Sequence, residues 1–178
     1  KVYRQHYERG VPQEDLHSVG TTDKTGTTIT FQPDSAIFDV TEYSFDTLAN
    51  RLRELSFLNA GIRIHLEDER NGKKHEFHYE GGISDFVAYV NSGKDPVHKH
   101  VIAFEGETDD GAVEIAMQYN DGFSEAMFAF ANCINTIDGG THLTGFRSAL
   151  TRVLNDYARR NKLLKDDDAN LSGDDVRE

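Results

Sequence analysis

The clearest hydrophobic pattern in the chain is a set of apolar residues at helical spacing between positions 44 and 59. Intervals of three and four place these residues on one face of a helix: Phe45, Leu48, Leu52, Leu55 and Leu58. Ser44 stands where an N-cap is favoured, and Gly61 stands where a left-handed residue ends a helix. The pattern therefore predicts an amphipathic helix over residues 44–59.

Two further segments have the same periodicity. Residues 83–91 predict a short helix and residues 142–161 predict a long one. The short helix is predicted to bury Ile83, Phe86, Val87 and Val90. The long helix is predicted to bury Phe146, Leu150, Val153, Leu154 and Tyr157.

Alternation of apolar and polar residues predicts the strands. They are expected at residues 2–8, 25–32, 62–67, 75–79, 101–105, 112–119 and 124–131. Thr27, Ile29 and Phe31 share one side of their strand, and Asn71-Gly72 supplies a tight hairpin turn. Two groups of strands, each with helices on one face, predict an α+β fold. Gly81-Gly82 is the candidate boundary between the groups.

Composition limits the classes of function. The chain has 178 residues and a formal net charge of −12, which repels phosphate backbones at long range. Any contact with DNA is therefore local or lies elsewhere in the protein. No apolar run approaches the ~20 residues that span a bilayer, and the basic start lacks the apolar core of a signal peptide. The single cysteine, Cys133, fits a reducing, cytoplasmic setting.

Few residues suggest chemistry directly. The chain contains no GxxxxGK[ST] loop, HExxH helix or GxSxG elbow. The histidine pairs 75/78 and 98/100 are interpreted as solvated or core-edge residues. His75 and His78 face opposite sides of a strand, and His98 and His100 could share a face but lack a carboxylate or third ligand. The aspartates at 166–168 and 174–175 are interpreted as a solvated acidic segment.

Two polar groups remain as candidate sites. Arg152 and Arg159 lie seven residues apart on one face of the long helix. They fit a solvated face near a helix C-terminus, and a rim that contacts DNA phosphates is the alternative. Thr27 opens the strand that follows Gly26, where a hydroxyl could line a pocket and glycine would allow close approach of a ligand.

Six stretches resemble the B subunit of bacterial DNA gyrase, the ATPase subunit of a type IIA DNA topoisomerase. They occur in the family's order and spacing and together cover nearly the whole chain. They are DKTGTTITFQPD (23–34), RLRELSFLNAGIRIHLEDER (51–70), FHYEGG (77–82), MQYNDGF (117–123), INTIDGGTHLTGFRSALTRVLNDYA (134–158) and LSGDDVRE (171–178). The B subunit of topoisomerase IV shares most of them and remains a close alternative.

The resemblance implies two domain portions. Residues 1–82 would be the C-terminal part of a GHKL-type ATPase α/β sandwich. Residues 83–178 would be the N-terminal part of a transducer domain with a ribosomal protein S5 domain 2-like fold. By the same resemblance, Thr27 would read the adenine amino group and Ile29 would line the apolar wall of the nucleotide pocket.

The resemblance also implies that the catalytic machinery lies elsewhere. The family's catalytic glutamate, magnesium-binding asparagine, adenine aspartate and ATP lid belong to an earlier segment, and the chain contains no Gln-Thr-Lys loop. No catalytic or metal-binding residue is therefore predicted here, and the isolated fragment is expected to be inactive.

The resemblance further implies cofactors and partners for the complete protein. The cofactors would be ATP and Mg²⁺. The partners would be the gyrase A subunit in a heterotetramer of two A and two B subunits, double-stranded DNA, and a second B subunit in an ATP-dependent dimer. Aminocoumarin inhibitors would bind at the adenine site, and no membrane is involved. The alternatives from other classes are a non-enzymatic acidic interaction domain and a mismatch-repair or chaperone relative of the same superfamily.

Overall fold

The fold was described from a computed structural model, which covers residues 1–109, 111–122, 124–165 and 167–177. These residues form strands and helices in mixed order, and each sheet is a pair of strands. The elements are β1 Val2–Arg4, β2 Tyr7–Glu8, β3 Val11–Pro12, β4 His17–Gly20, α1 Phe45–Leu58, β5 Arg63–Asp68, β6 Lys73–His78, α2 Ile83–Val90, β7 Ile102–Thr108, β8 Gly111–Met117, β9 Phe130–Ala131, β10 Ile134–Asn135, α3 Thr141–Arg160 and α4 Gly173–Arg177.

The chain divides into two compact units, Lys1–Thr47 and Leu48–Glu178. The predicted boundary at Gly81-Gly82 lies inside the second unit. Whether residues 1–82 and 83–178 are portions of two domains of a longer protein stays a prediction, because the division within this chain reflects only its own contacts.

The first unit consists of the antiparallel pairs β1–β4 and β2–β3 and a long segment without regular structure. The strand predicted over 2–8 is interrupted at Gln5 and His6. The strand predicted over 25–32 is wrong for this structure, because those residues form no strand and are exposed. The physical reason is that no described strand pairs with the segment, and a strand without a partner leaves its backbone groups to water.

Helix α1 agrees closely with its prediction. The backbone N–H of Thr47 donates to Ser44 Oγ at 3.3 Å, so Ser44 is the N-cap. Gly61 has φ 78°, the left-handed conformation that the sequence predicted after the helix. The predicted leucine face is only half-buried, whereas Ser56 and Phe57 are the most deeply buried residues of the helix.

Aromatic residues form the core of the second unit. Phe57 is 1% exposed and stacks on Tyr79 with a ring-centroid distance of 3.8 Å. Phe86 of α2 lies 5.3 Å from Phe57 and 5.2 Å from Phe128, measured between ring centroids. This cluster joins α1, the residue after β6, and α2. Phe57 lies outside the predicted leucine face, so periodicity located α1 without identifying its most buried aromatic residue.

The hairpin β5–β6 pairs Asp68 with Lys73, so its loop has four residues instead of the predicted two-residue Asn71-Gly72 turn. Only Gly72 has a positive φ, of 73°. The Asp68 carboxylate accepts hydrogen bonds from the Arg70 guanidinium, the Arg70 backbone N–H and the Asn71 amide. These donors favour the charged carboxylate and lower the pKa of Asp68 to about 2.

The strands predicted over 101–105 and 112–119 are confirmed as the hairpin β7–β8. The strand predicted over 124–131 is wrong except at Phe130–Ala131, which pairs with β10. Residues 124–129 form no strand, although the Ala129 carbonyl accepts a hydrogen bond at 2.8 Å from the backbone N–H of Thr136, the residue after β10. Phe123 lies outside the described residues.

Helix α3 is confirmed, but its buried face is rotated from the prediction. Asn155 and Ala158 are its buried residues, while Val153 and Tyr157 are exposed. The reason is α4, which packs against α3 and was not predicted because its sequence is short and acidic. Val176 of α4 is buried, so the acidic end is partly structured. Asp166 lies outside the described residues.

Candidate functional site

The two residues predicted to bind nucleotide lie in the first unit. Thr27 and Ile29 are both exposed, and Ile29 is 79% exposed. Neither residue lines either of the two pockets described below. Within this chain, the structure therefore does not bring them together as walls of a cavity, and their role stays a prediction.

The two arginines predicted to contact DNA have different surroundings. Arg152 is exposed, and its guanidinium makes no hydrogen bond or ion pair with the described residues. Arg159 uses its guanidinium to donate to the carbonyls of Lys165 and Asp168 and to the side-chain oxygen of Asn170. Arg159 therefore stabilises the loop after α3. Because its guanidinium already donates to that loop, it is poorly placed to bind a phosphate as well.

A shallow pocket of about 460 Å³ lies between α3 and α4. It is lined by Arg147, Ser148, Thr151, Arg152, Asn155, Asp156, Asn170, Gly173 and Arg177. Three of these side chains are arginines and one is an aspartate, so the lining itself is cationic. In a chain with a net charge of −12, this is a local site where an anion could bind.

Glu125 neutralises part of that positive charge. Its carboxylate accepts from Arg147 Nη2 at 3.0 Å and from Arg177 Nε at 3.3 Å. Arg177 also donates to Asp174 at 3.1 Å. Arg147 Nε is buried and has no hydrogen-bond partner among the described residues. Arg152 is therefore the arginine of this pocket best able to meet an incoming anion.

Asn155 is a residue that pattern analysis missed. Its side chain is 8% exposed and pairs with both backbone groups of Leu171, accepting from the N–H at 2.8 Å and donating to the carbonyl at 3.0 Å. Periodicity gave no signal for it, because Asn155 follows Phe146 by nine positions and so lies opposite the predicted apolar face of the helix. A buried side-chain amide usually has hydrogen-bond partners, which here include the backbone groups of Leu171.

His98 is also structural. Its Nδ1 lies 2.7 Å from the His100 carbonyl, and its Nε2 accepts from the Tyr119 backbone N–H at 3.0 Å. These partners require the neutral tautomer with the proton on Nδ1. The prediction of a core-edge histidine agrees with this geometry, because His98 is half-buried and both ring nitrogens have backbone partners. No cluster of three or more His, Cys, Asp or Glu able to hold a metal occurs in the part of the chain that the structure describes.

A second pocket, of about 440 Å³, lies in the first unit. Its lining is Arg4, His6, Gln13, Glu14, His17 and Val19. His6 and His17 lie near Glu8 and Glu14, with closest nitrogen–oxygen distances of 3.6 and 3.9 Å. All these side chains are exposed or half-buried, so water competes for every polar contact in this pocket.

The family model for DNA gyrase B matches residues 82–178, which is more than half of the chain. The chain belongs to the DNA gyrase B family. The gyrase B match includes the pocket between α3 and α4, whereas Thr27 and Ile29 lie outside the matched range.

Curated gyrase B relatives resemble the chain along its whole length. The DNA gyrase B protein of Clostridium acetobutylicum is 54% identical over 178 residues, covering 99% of this chain and 28% of that protein. The gyrase B protein of Bacillus mycoides is 53% identical over 180 residues, covering 100% of this chain and 45% of that protein. The chain thus spans less than half the length of these relatives.

Solved gyrase B structures have the same fold. The 43K ATPase domain of Thermus thermophilus gyrase B, in complex with an aminocoumarin, has a TM-score of 0.83 and 34% identity. That match covers 98% of this chain and 49% of the other. The gyrase B protein of Myxococcus xanthus has a TM-score of 0.76 at 24% identity, over 88% of this chain and 47% of the other, and shows the fold alone. The predicted α+β, GHKL-type fold class is confirmed by these structures.

Among the described residues, no helix combines the length and the apolar character that crossing a membrane requires.

Proposed function

We propose that the chain is part of the ATP-hydrolysing B subunit of a type II DNA topoisomerase, a DNA gyrase. In this function, ATP binding and hydrolysis drive DNA strand passage and supercoiling. The observation that carries the proposal is the likeness to the gyrase B ATPase domain over 98% of the chain at a TM-score of 0.83. The gyrase B relatives at 53% and 54% identity favour gyrase over topoisomerase IV.

The test uses the complete protein together with its A subunit and relaxed closed-circular DNA. Supercoiling that requires ATP is the expected result. Decatenation without supercoiling would assign the protein to topoisomerase IV instead. ATP-independent behaviour, or no action on DNA at all, would contradict the proposal and favour an acidic interaction domain.

The same proposal includes the cofactors and partners. ATP would bind with Mg²⁺, and the metal is assigned to no residue of this chain. The partners would be a gyrase A subunit, double-stranded DNA and a second B subunit, and the setting would be the cytoplasm. Because the Thermus thermophilus domain was solved with an aminocoumarin, the complete protein is also expected to bind this inhibitor class.

The proposed division into an ATPase portion (1–82) and a transducer portion (83–178) has two supports. The family match begins at residue 82, and Gly82 caps α2 with φ 58°. A positive φ at this point favours glycine and gives the chain a defined change of direction.

Thr27 and Ile29 are proposed to line the adenine pocket of the complete protein. Their exposure here does not oppose this role, because about half of the matched ATPase domain has no counterpart in this chain. The neighbouring strands of the pocket would come from that half. A threonine hydroxyl beside a branched aliphatic residue suits a flat base with a polar edge.

Replacing Thr27 with valine in the complete protein is expected to weaken ATP binding. Valine keeps the shape of threonine and removes one hydrogen bond, which is worth roughly 0.5–1.5 kcal/mol, or about two- to twelvefold in the dissociation constant. The matched control is Thr27→Ser, which retains the hydroxyl and should bind nearly as well as the wild type. Calorimetry with a non-hydrolysable ATP analogue would measure the effect, and unchanged affinity in the valine variant would remove Thr27 from the site.

Arg152 is proposed as a local contact for a DNA phosphate. Arg159 is not proposed as a DNA contact, because its guanidinium binds the loop after α3. Arg152→Gln in the complete protein should weaken DNA binding and lower the salt-dependence slope by about 1. Arg160→Gln is the matched control, because it removes the same charge at the end of α3, outside the pocket that Arg152 lines. Fluorescence anisotropy at several salt concentrations measures both. Equal effects of the two substitutions would mean that only net charge matters.

A further inference from the structure

The described part of helix α4, Gly173–Arg177, is attached to the rest of the unit mainly by polar contacts. Among its residues only Val176 is buried. Its position must therefore depend on side chains from the rest of the unit, and these can be identified.

The first attachment is to α3 through Asn155. Besides pairing with both backbone groups of Leu171, the Asn155 amide donates to the Thr151 carbonyl at 2.9 Å. The side chain thus completes the hydrogen bonding of the segment just before α4, as a neighbouring strand would. Removing this amide would leave the backbone N–H and carbonyl of Leu171 without their partner in a half-buried position.

The last turn of α3 shapes the connector between the two helices. The Arg159 guanidinium donates to the carbonyls of Lys165 and Asp168 at 2.7 and 2.8 Å. It also donates to the Asn170 side-chain oxygen at 2.7 Å. The connector is therefore held by α3 at several points, by Arg159 at Lys165, Asp168 and Asn170 and by Asn155 at Leu171.

The second attachment connects α4 to the end of α2 through Gln118 and Tyr119. The Tyr119 hydroxyl donates to the Val176 carbonyl at 2.8 Å, while the Tyr119 backbone N–H is held by His98. The preceding residue, Gln118, accepts from the Asn91 amide at the end of α2 at 3.0 Å. Burial raises the pKa of Tyr119, so its hydroxyl stays protonated and remains a donor.

We propose that residues 167–177, called the latch segment here, open and close as one unit and link α2 to α3. The link runs from Asn91 through Gln118 and Tyr119 to α4, and from α4 through Leu171 and Asn155 to α3. Its role in passing movement from the nucleotide to the DNA rests on the proposed function. The latch itself rests only on the contacts named above.

If the latch segment opens as one unit, substitutions at two distant residues, Asn155 and Tyr119, should loosen the same stretch of chain. Asn155→Ala and Tyr119→Phe act on two separate points of the latch segment, Leu171 and Val176, and each removes hydrogen bonds that fix it. In the complete protein, each should speed amide hydrogen exchange across the whole latch segment by at least about tenfold, because local opening is a cooperative unit. Mass spectrometry of proteolytic peptides resolves this region.

The matched control is Asn161→Ala. Asn161 also lies at α3 and donates to the carbonyl four residues earlier, but none of its described hydrogen bonds reaches another segment. It should leave exchange in the latch segment unchanged. Faster exchange confined to Leu171 in one variant and to Val176–Arg177 in the other would overturn the single-unit proposal. Equal loosening by Asn161→Ala would do the same.

The second readout is the number of supercoils introduced per ATP hydrolysed. Both latch variants should retain near-normal ATP turnover and lose about threefold or more of this ratio, because the link between the helices is weakened. Faster exchange with an unchanged ratio would overturn the linking role. A wild-type protein without ATP-driven supercoiling would instead refute the proposed function, and the exchange result would still decide whether the latch exists.

Discussion

Replacing Phe57 with alanine is expected to destabilise the second unit by about 3–5 kcal/mol, the range observed when a buried aromatic residue is truncated. Phe57 is 1% exposed and touches aromatic rings from three directions, including Tyr79, Phe86 and Tyr89. A cavity at this position removes contacts between α1, α2 and the end of β6 at once. A typical domain has only about 5–15 kcal/mol of stability, so the loss would be a large fraction of the total.

Phe31→Ala is the matched control for this prediction. Phe31 is 60% exposed and has one edge-to-face contact, with Tyr43, at a centroid distance of 5.1 Å. It should cost less than about 1.5 kcal/mol, the upper value for a single aromatic pair. Urea unfolding of the 178-residue chain, followed by circular dichroism and by proteolysis of the second unit, measures both variants. Similar losses for Phe57 and Phe31 would show that the aromatic cluster is not the core.

Helices were the elements that the sequence predicted best. The spacing of apolar residues defines a helix locally, and Ser44 and Gly61 fixed the limits of α1 through contacts a few residues away. The exact buried face was less predictable. On α3 it depends on α4, which is distant enough in sequence that the periodicity of residues 142–161 contains no information about it.

Strands failed where pairing is non-local. The alternation over 25–32 and 124–131 describes a face, but a strand also needs a partner, and no described strand lies beside most of these residues. Where the partner is a few residues away, as in β5–β6, the prediction succeeded apart from the turn. Non-local pairing is also why the environment of Thr27 and Ile29 could not be derived from this sequence alone.

Polar residues with structural roles were hidden from pattern analysis for a related reason. Asn155 and Tyr119 are ordinary residues in sequence, and their importance comes from Leu171 and Val176, which lie 16 and 57 positions away. Arg159 was predicted to face solvent or DNA because its helical position allows it. The structure shows that the loop after α3 supplies the acceptors that its guanidinium needs.

The isolated 178-residue chain is expected to show no ATP turnover above background. Enzymes lower activation barriers by about 8–23 kcal/mol, using several preorganised groups around the reacting atoms. The only nucleotide contacts proposed for this chain are the Thr27 hydroxyl and the Ile29 side chain. A single hydrogen bond contributes roughly 0.5–1.5 kcal/mol, which is far too little even for tight binding. Both residues are also exposed here, so water competes for the hydroxyl and no wall encloses the base.

A coupled assay for ADP release, with millimolar ATP and Mg²⁺, measures this expectation against the complete protein as the positive control. The Thr27→Val chain serves as the matched negative control, because it has the same fold and preparation but lacks the proposed adenine contact. Activity that is equal in both chains comes from a contaminant. Turnover that increases with chain concentration and falls in the valine variant would contradict the prediction. It would mean that the groups needed for hydrolysis are already present within these 178 residues.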